Sequence, residues 1–108
     1  MGRTFIVIRT SFEAGHHWPD CPFNDVAFLR NQHRHIFYVE LKKEVFEDRG
    51  IEFIRFKRVV EEFIKIKYAG KDLGPTSCEV MAKVLADKFN ANSVEISEDL
   101  ENSAIYEA

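Results

Sequence analysis

His33 and His35 are the residues of this chain whose type and spacing most directly suggest chemistry. They lie in Gln32-His33-Arg34-His35-Ile36-Phe37-Tyr38-Val39-Glu40-Leu41, which reads as a β-strand. Side chains alternate faces along a strand, so His33, His35, Phe37, Val39 and Leu41 share one face, and the last three mark it as the core side. Two imidazoles one pleat apart on an apolar face are unusual unless something holds them. A metal ion is the usual holder, because neighbouring neutral imidazoles on one face can converge on it.

A third histidine stands at a matching strand end. Residues 4–12 read as the first strand, and if the extended chain continues, Ile6, Ile8, Thr10, Phe12, Ala14 and His16 fall on one face. His17 then points the other way. Gly15 suggests a bulge or a close approach by another segment. Three protein nitrogens with one open position are the arrangement of a catalytic zinc, whose free site takes water or a substrate oxygen. The plainer alternative is three half-buried histidines near strand ends.

Glu98 shares a face with Val94 and Ile96, and a carboxylate there is costly unless it finds donors. It could accept two N–H bonds from a flat, guanine-like heterocycle. The plainer reading is a glutamate that has turned into solvent at a strand end. Cys78 falls in the first turn of a helix, a position that lowers a thiol pKa and can make a nucleophile, although a small packing residue also fits there. Cys21 follows His16 and His17 closely enough to approach a metal.

The elements that must position these groups follow from pattern. The second strand runs from about His33 to about Val45, and residues 18–30 read as a loop with an apolar run, Val26 to Leu29. Residues 53–67 repeat apolar side chains at three- and four-residue steps (Phe56, Val59, Val60, Phe63, Ile64) and predict an amphipathic helix. Thr76 and Glu79 have capping-box spacing for a second helix with Met81, Val84, Leu85 and Phe89 as its buried stripe. Strands at Ser93–Glu98 and Ser103–Glu107 close the chain. The order, ββααββ, predicts one α+β domain over residues 1–108, an antiparallel four-stranded sheet with two helices on one face.

Composition narrows the partners. The chain has 108 residues, 45% of them hydrophobic, and a formal net charge of −3 with no basic run, which argues against nucleic acid or an anionic membrane. Ten phenylalanines imply a filled interior or an aromatic subunit contact. No signal-peptide pattern or membrane-spanning run is present, and two distant cysteines suit a reducing compartment, so a cytoplasmic protein is expected.

Several segments, taken together, resemble a known family. Phe12-Glu13-Ala14-Gly15-His16 is similar to its first-strand zinc motif, and Gln32-His33-Arg34-His35 to its His-x-His strand. Pro75-Thr76-Ser77-Cys78-Glu79 resembles its Pro-Thr-x-Glu helix start with one extra residue, and Val94 to Glu98 with Ala104 and Tyr106 its closing strand and turn. The family is 6-pyruvoyl-tetrahydropterin synthase with 6-carboxytetrahydropterin synthase. The resemblance implies the tunnelling fold, trimers or hexamers with sites between subunits, and zinc on His16, His33 and His35. It further implies that Glu98 anchors a pterin ring which Thr76 borders. The implied activity is lyase-type chemistry on a dihydropterin triphosphate; the alternative is a protein of the same fold that binds a pterin or purine nucleotide without turnover. Two departures bear on that choice. Leu29 stands where the family carries a catalytic cysteine, and the segment after the first helix has Asp72 but no histidine for the family's Asp-His pair. Cys21, Cys78, His17 and Asp20 are the groups that could stand in.

Overall fold

A computed structural model describes residues 2–108. It contains strands β1 (Thr4–His16), β2 (His33–Val45), β3 (Ser93–Glu98) and β4 (Asn102–Glu107), and helices α1 (Phe53–Lys67) and α2 (Cys78–Phe89). The strands form one antiparallel sheet in the order β1-β2-β3-β4, so neighbours in sequence are neighbours in space. This is the α+β arrangement expected, with both helices on one face.

Alternation selects that face. Ile8, Phe12 and Ala14 on β1, Phe37, Val39 and Leu41 on β2, and Val94 and Ile96 on β3 are buried together with Val60 and Ile64 of α1 and Met81, Ala82, Leu85 and Ala86 of α2. α1 packs on β1, and α2 on β3 and β4. Withdrawing this apolar surface from water is the main favourable term for such a layer pair. Of the ten phenylalanines Phe12 and Phe37 are buried, Phe56, Phe63 and Phe89 pack partly buried against the core, and Phe23, Phe28, Phe46 and Phe53 are exposed, so the aromatic count is spent only in part on the interior. Val59 is likewise exposed; the stripe of α1 is narrower than its periodicity suggests.

β1 continues to His16, four residues past the expected end, because it pairs with β2 in unbroken register, from Thr4 opposite Val45 to His16 opposite His33. There is no bulge at Gly15. A second segment approaches closely instead: the Gly15 N–H donates to Lys71 O at 3.0 Å, and the Leu73 N–H to Gly15 O at 2.8 Å. A Cβ built on Gly15 would lie 2.3 Å from the Gln32 amide nitrogen. The apolar run in the connection to β2 coils into a short 3₁₀ helix, Asn24–Arg30, none of whose residues is buried.

α2 begins one residue later than the capping-box spacing implies. Ser77, not Thr76, is its N-cap and accepts the Val80 N–H at 3.2 Å, while the Thr76 hydroxyl donates to Leu73 O at 2.7 Å. Position N3 is therefore Val80, and no reciprocal box forms. A tight turn joins β3 to β4: Asp99 (φ 54°) and Leu100 (φ 62°) are both left-handed, and the Glu101 N–H donates to Glu98 O at 2.9 Å.

Candidate metal centre

The β1–β2 register sets His16 directly opposite His33 and Ala14 opposite His35, and the β2–β3 register sets Phe37 opposite Glu98. Three adjacent strands thus deliver four side chains to one end of the core face. His16, His33, His35 and Glu98 each offer a ligand atom, and these atoms all lie within 4.8 Å of one another. The rings meet edge to face, with centroids 4.6 Å apart for His16 and His33, 5.3 Å for His16 and His35, and 4.9 Å for His33 and His35.

Each imidazole is oriented through its outer nitrogen. His16 Nδ1 lies 2.8 Å from Thr76 O, His33 Nδ1 2.9 Å from Asn31 O, and His35 Nδ1 2.7 Å from Asp99 Oδ2. Carbonyl and carboxylate oxygens only accept, so each Nδ1 carries the proton and donates. The Nε2 lone pairs are left for the interior. This is the arrangement in which a second residue fixes the tautomer of a metal-ligating histidine. His33 Nε2 is buried with no hydrogen-bond partner, and His16 Nε2 faces only Glu98 Oε2, at 2.8 Å. Buried polar atoms are ordinarily paired. An orphaned His33 Nε2 and a His16 Nε2 set against a carboxylate fit a cation, and the all-nitrogen-and-oxygen donor set suits a divalent transition metal.

The electrostatics agree. Contact with the Glu98 carboxylate holds the His16 pKa above its ordinary value against the opposing effect of burial, with help from Thr76 O. The same contact holds Glu98 below the usual carboxylate range, again against burial, and the positive potential of His35, His16 and His33 adds to it. Glu98 has not turned into solvent; its Oε2 also lies 3.4 Å from His35 Nε2.

The cluster opens onto a cavity of about 510 Å³ whose wall includes His16, His33, Trp18, Thr76, Cys78 and Glu98. His17 is also in the wall, not turned away from it. The strand ends at His16, so alternation no longer governs the next residue, and the His17 N–H donates to Gly74 O at 2.9 Å. His17 Nδ1 is buried without a partner. Leu29 also lines the cavity.

Cys78 is not an activated thiol in this setting. Burial, followed by the charges of Glu98 and Glu79, pushes Cys78 up to about 12, opposite to the lowering that a helix N-terminus alone would bring. Cys21 is buried outside the ligand group, its Sγ–H directed to Phe23 O and Val26 O at 3.8 and 3.9 Å. Asp20 is exposed, and Asp72 accepts the Gly74 N–H at 2.9 Å.

Asp99 and the carbonyls of Asn31 and Thr76 were not legible as parts of the centre. Asp99 directly follows Glu98, but only the left-handed turn brings its carboxylate back to β2. The carbonyl partners depend on loop conformation and carry no side-chain signature.

Comparison with known proteins supports the fold. No protein-family model matches the sequence, and no curated protein does. Among solved structures, 6-pyruvoyl tetrahydropterin synthase from Caenorhabditis elegans superposes with a TM-score of 0.73 at 18% identity, over 100% of this chain and 97% of that one. An uncharacterized protein from Wolinella succinogenes superposes with a TM-score of 0.71 at 17% identity, over 99% of both chains. The chain has the tunnelling fold of 6-pyruvoyl tetrahydropterin synthase, and at its sheet end it carries a His/Glu group able to hold a metal.

Proposed function

We propose that this chain is a zinc-dependent protein of the 6-pyruvoyl/6-carboxytetrahydropterin synthase type that takes a pterin or purine-like ring in the cavity beside Glu98. One observation carries the reading: three imidazoles, each with its outer nitrogen held by an oxygen, turn their inner nitrogens to one point at the mouth of a ligand-sized cavity.

His16, His33 and His35 would hold the metal, which supplies Lewis acidity toward an oxygen of the ligand's side chain and makes the adjacent C–H more acidic. Glu98, held ionised, is an acceptor for the paired N–H groups of the ring. Thr76 fixes His16 through its carbonyl and borders the ring. Leu29 and Pro75 add apolar surface to the wall.

The reaction implied by the resemblance is lyase-type elimination from a dihydropterin triphosphate. A second reading, a binder of the same fold without turnover, is favoured by two features of the wall: Leu29 lines it, and Cys78 is pushed up to about 12. General acid–base help of this kind is worth roughly 10²–10⁴ in rate. Metal analysis of the purified protein tests the centre, with about one zinc per chain expected. Incubation with dihydroneopterin triphosphate separates the two readings, since a synthase releases triphosphate and a binder retains the ring without release. A chain that carries no transition metal and takes none up overturns both. The uncovered sheet face, with Val7, Ile36 and Ile105 exposed, supports assembly into a trimer or hexamer, which light scattering would measure directly. A cytoplasmic location is part of the same proposal; among the described residues no helix is long and apolar enough to cross a membrane.

A further inference from the structure

The proposed function leaves the cavity's one large aromatic side chain unused. Trp18 is the single tryptophan of the chain, lines the cavity next to His17, and is 44% exposed. Its place is fixed by backbone bonds: the Trp18 N–H donates to Leu29 O at 2.6 Å, and its carbonyl accepts the Cys21 N–H at 3.2 Å. Phe23 meets its ring edge to face at a centroid distance of 6.1 Å and an interplanar angle of 69°. The backbone that carries the indole is therefore fixed, and the ring is braced by an aromatic edge, with part of its surface left open.

The rest of the wall says what kind of ligand would use it. Glu79 and Glu98 are carboxylates, and among the described residues none that lines the cavity is a lysine or arginine. Apart from a metal held by the histidines, this chain's own wall thus offers no cation to a charged tail, and a ligand's ring must supply much of its affinity. A planar heterocycle has the flat π-face that an indole can stack on, and such stacking is tolerant of the ring's hydrogen-bonding pattern.

Resting on the pterin- or purine-like reading above, we propose that Trp18 is the stacking wall of the site and sets its affinity for the ligand's ring, including ligands without any phosphate. Trp18 holds the face of the ring while Glu98 takes its N–H edge.

The uniqueness of Trp18 makes the test direct. Zinc-loaded protein is titrated with neopterin, a phosphate-free pterin, following tryptophan emission and the heat of binding. Saturable quenching is expected at the same concentration as the calorimetric transition. Trp18→Ala should bind neopterin roughly 5- to 100-fold more weakly with unchanged zinc content, and Trp18→Phe should recover a large part of the loss. Circular dichroism confirms that each variant is folded, and the exposure of Trp18 makes both substitutions tolerable. If Trp18→Ala binds neopterin as tightly as the parent, the stacking role is wrong while the proposed function stands. If the zinc-loaded parent binds no neopterin, this inference and the pterin reading both fall. If light scattering shows that Trp18→Ala loses a subunit contact while its remaining chains bind neopterin with parental affinity, Trp18 belongs to an interface and the proposal is overturned.

Discussion

Asp99 accepts the His35 Nδ1–H at 2.7 Å on one carboxylate oxygen and the Ile36 backbone N–H at 3.0 Å on the other. One side chain on the β3–β4 turn thereby sets both the tilt of an imidazole on β2 and the position of the strand that carries it. His35 holds the Asp99 pKa below its ordinary value, with the Ile36 N–H adding to the effect, so the carboxylate stays an acceptor at neutral pH.

Asp99→Asn separates this positioning role from the turn itself. Asparagine tolerates the left-handed conformation at φ 54°, so the fold should hold. Its amide has one oxygen in place of two and cannot accept both bonds. Zinc affinity, measured by competition with a chelator, should fall about 10–100-fold, the usual effect of losing such a partner. An unchanged affinity would show that His35 is held well enough by packing alone.

Glu98→Gln tests the division of labour at the centre. The amide keeps the size of the side chain and loses the charge. If Glu98 serves the ring and the three histidines serve the metal, zinc stoichiometry is retained and neopterin binding weakens by about 1.5–3 kcal/mol, the range for a hydrogen bond to a charged group. Loss of zinc with parental ring affinity in the metal-reloaded variant would transfer Glu98 to the metal instead.

Period-two alternation was enough to bring out the sheet face. Phe37, Val39 and Leu41 fix it for β2, and the same count on β1 reaches His16 only because Thr4 to His16 pairs without a bulge. The helices were legible from their apolar spacing, although exposed Val59 shows that a stripe read from sequence is wider than the surface a sheet can cover. The convergence of His16 with His33 and of Phe37 with Glu98 is a fact of register, which a single strand's pattern does not contain. What sequence could not reach was the loop-borne half of the centre. Asn31 O and Thr76 O act as backbone groups, Asp99 acts through a turn of two left-handed residues, and His17 lies where strand geometry has ended. Cys78 shows the reverse: the helix N-terminus was legible, but the burial and the carboxylates that outweigh it were not.

Cys78 gives a prediction with a defined sign in pH. An ordinary thiol near 9 is about one-tenth ionised at pH 8; a thiol at about 12 is ionised to about one part in 10⁴, so alkylation of Cys78 at pH 8 should be about 10³-fold slower than in the unfolded chain. The folded state retains this proton when the unfolded state has lost it. The Cys78 contribution to stability is therefore whole below about pH 9 and is lost as pH rises from there toward about 12. Cys78→Ala should flatten this alkaline limb in denaturant titrations, and rapid labelling of native Cys78 at pH 8 would contradict the burial argument.

Phe37 couples the core to the centre. It is fully buried, stacks on Phe12 with centroids 5.2 Å apart, and meets the edges of His16 and His35 at 5.2 and 5.7 Å. Phe37→Ala removes a filled ring and should cost about 3–5 kcal/mol in the metal-free protein. Because the imidazoles then lose the surface they rest on, the variant should also bind zinc more weakly, so zinc at a concentration saturating for the parent should raise its melting temperature by less. Phe37→Leu keeps most of the volume and should fall between the two in both measurements. Parental zinc affinity in a destabilised but folded Phe37→Leu would show that the histidines are set by their oxygen partners and not by the aromatic ring beneath them.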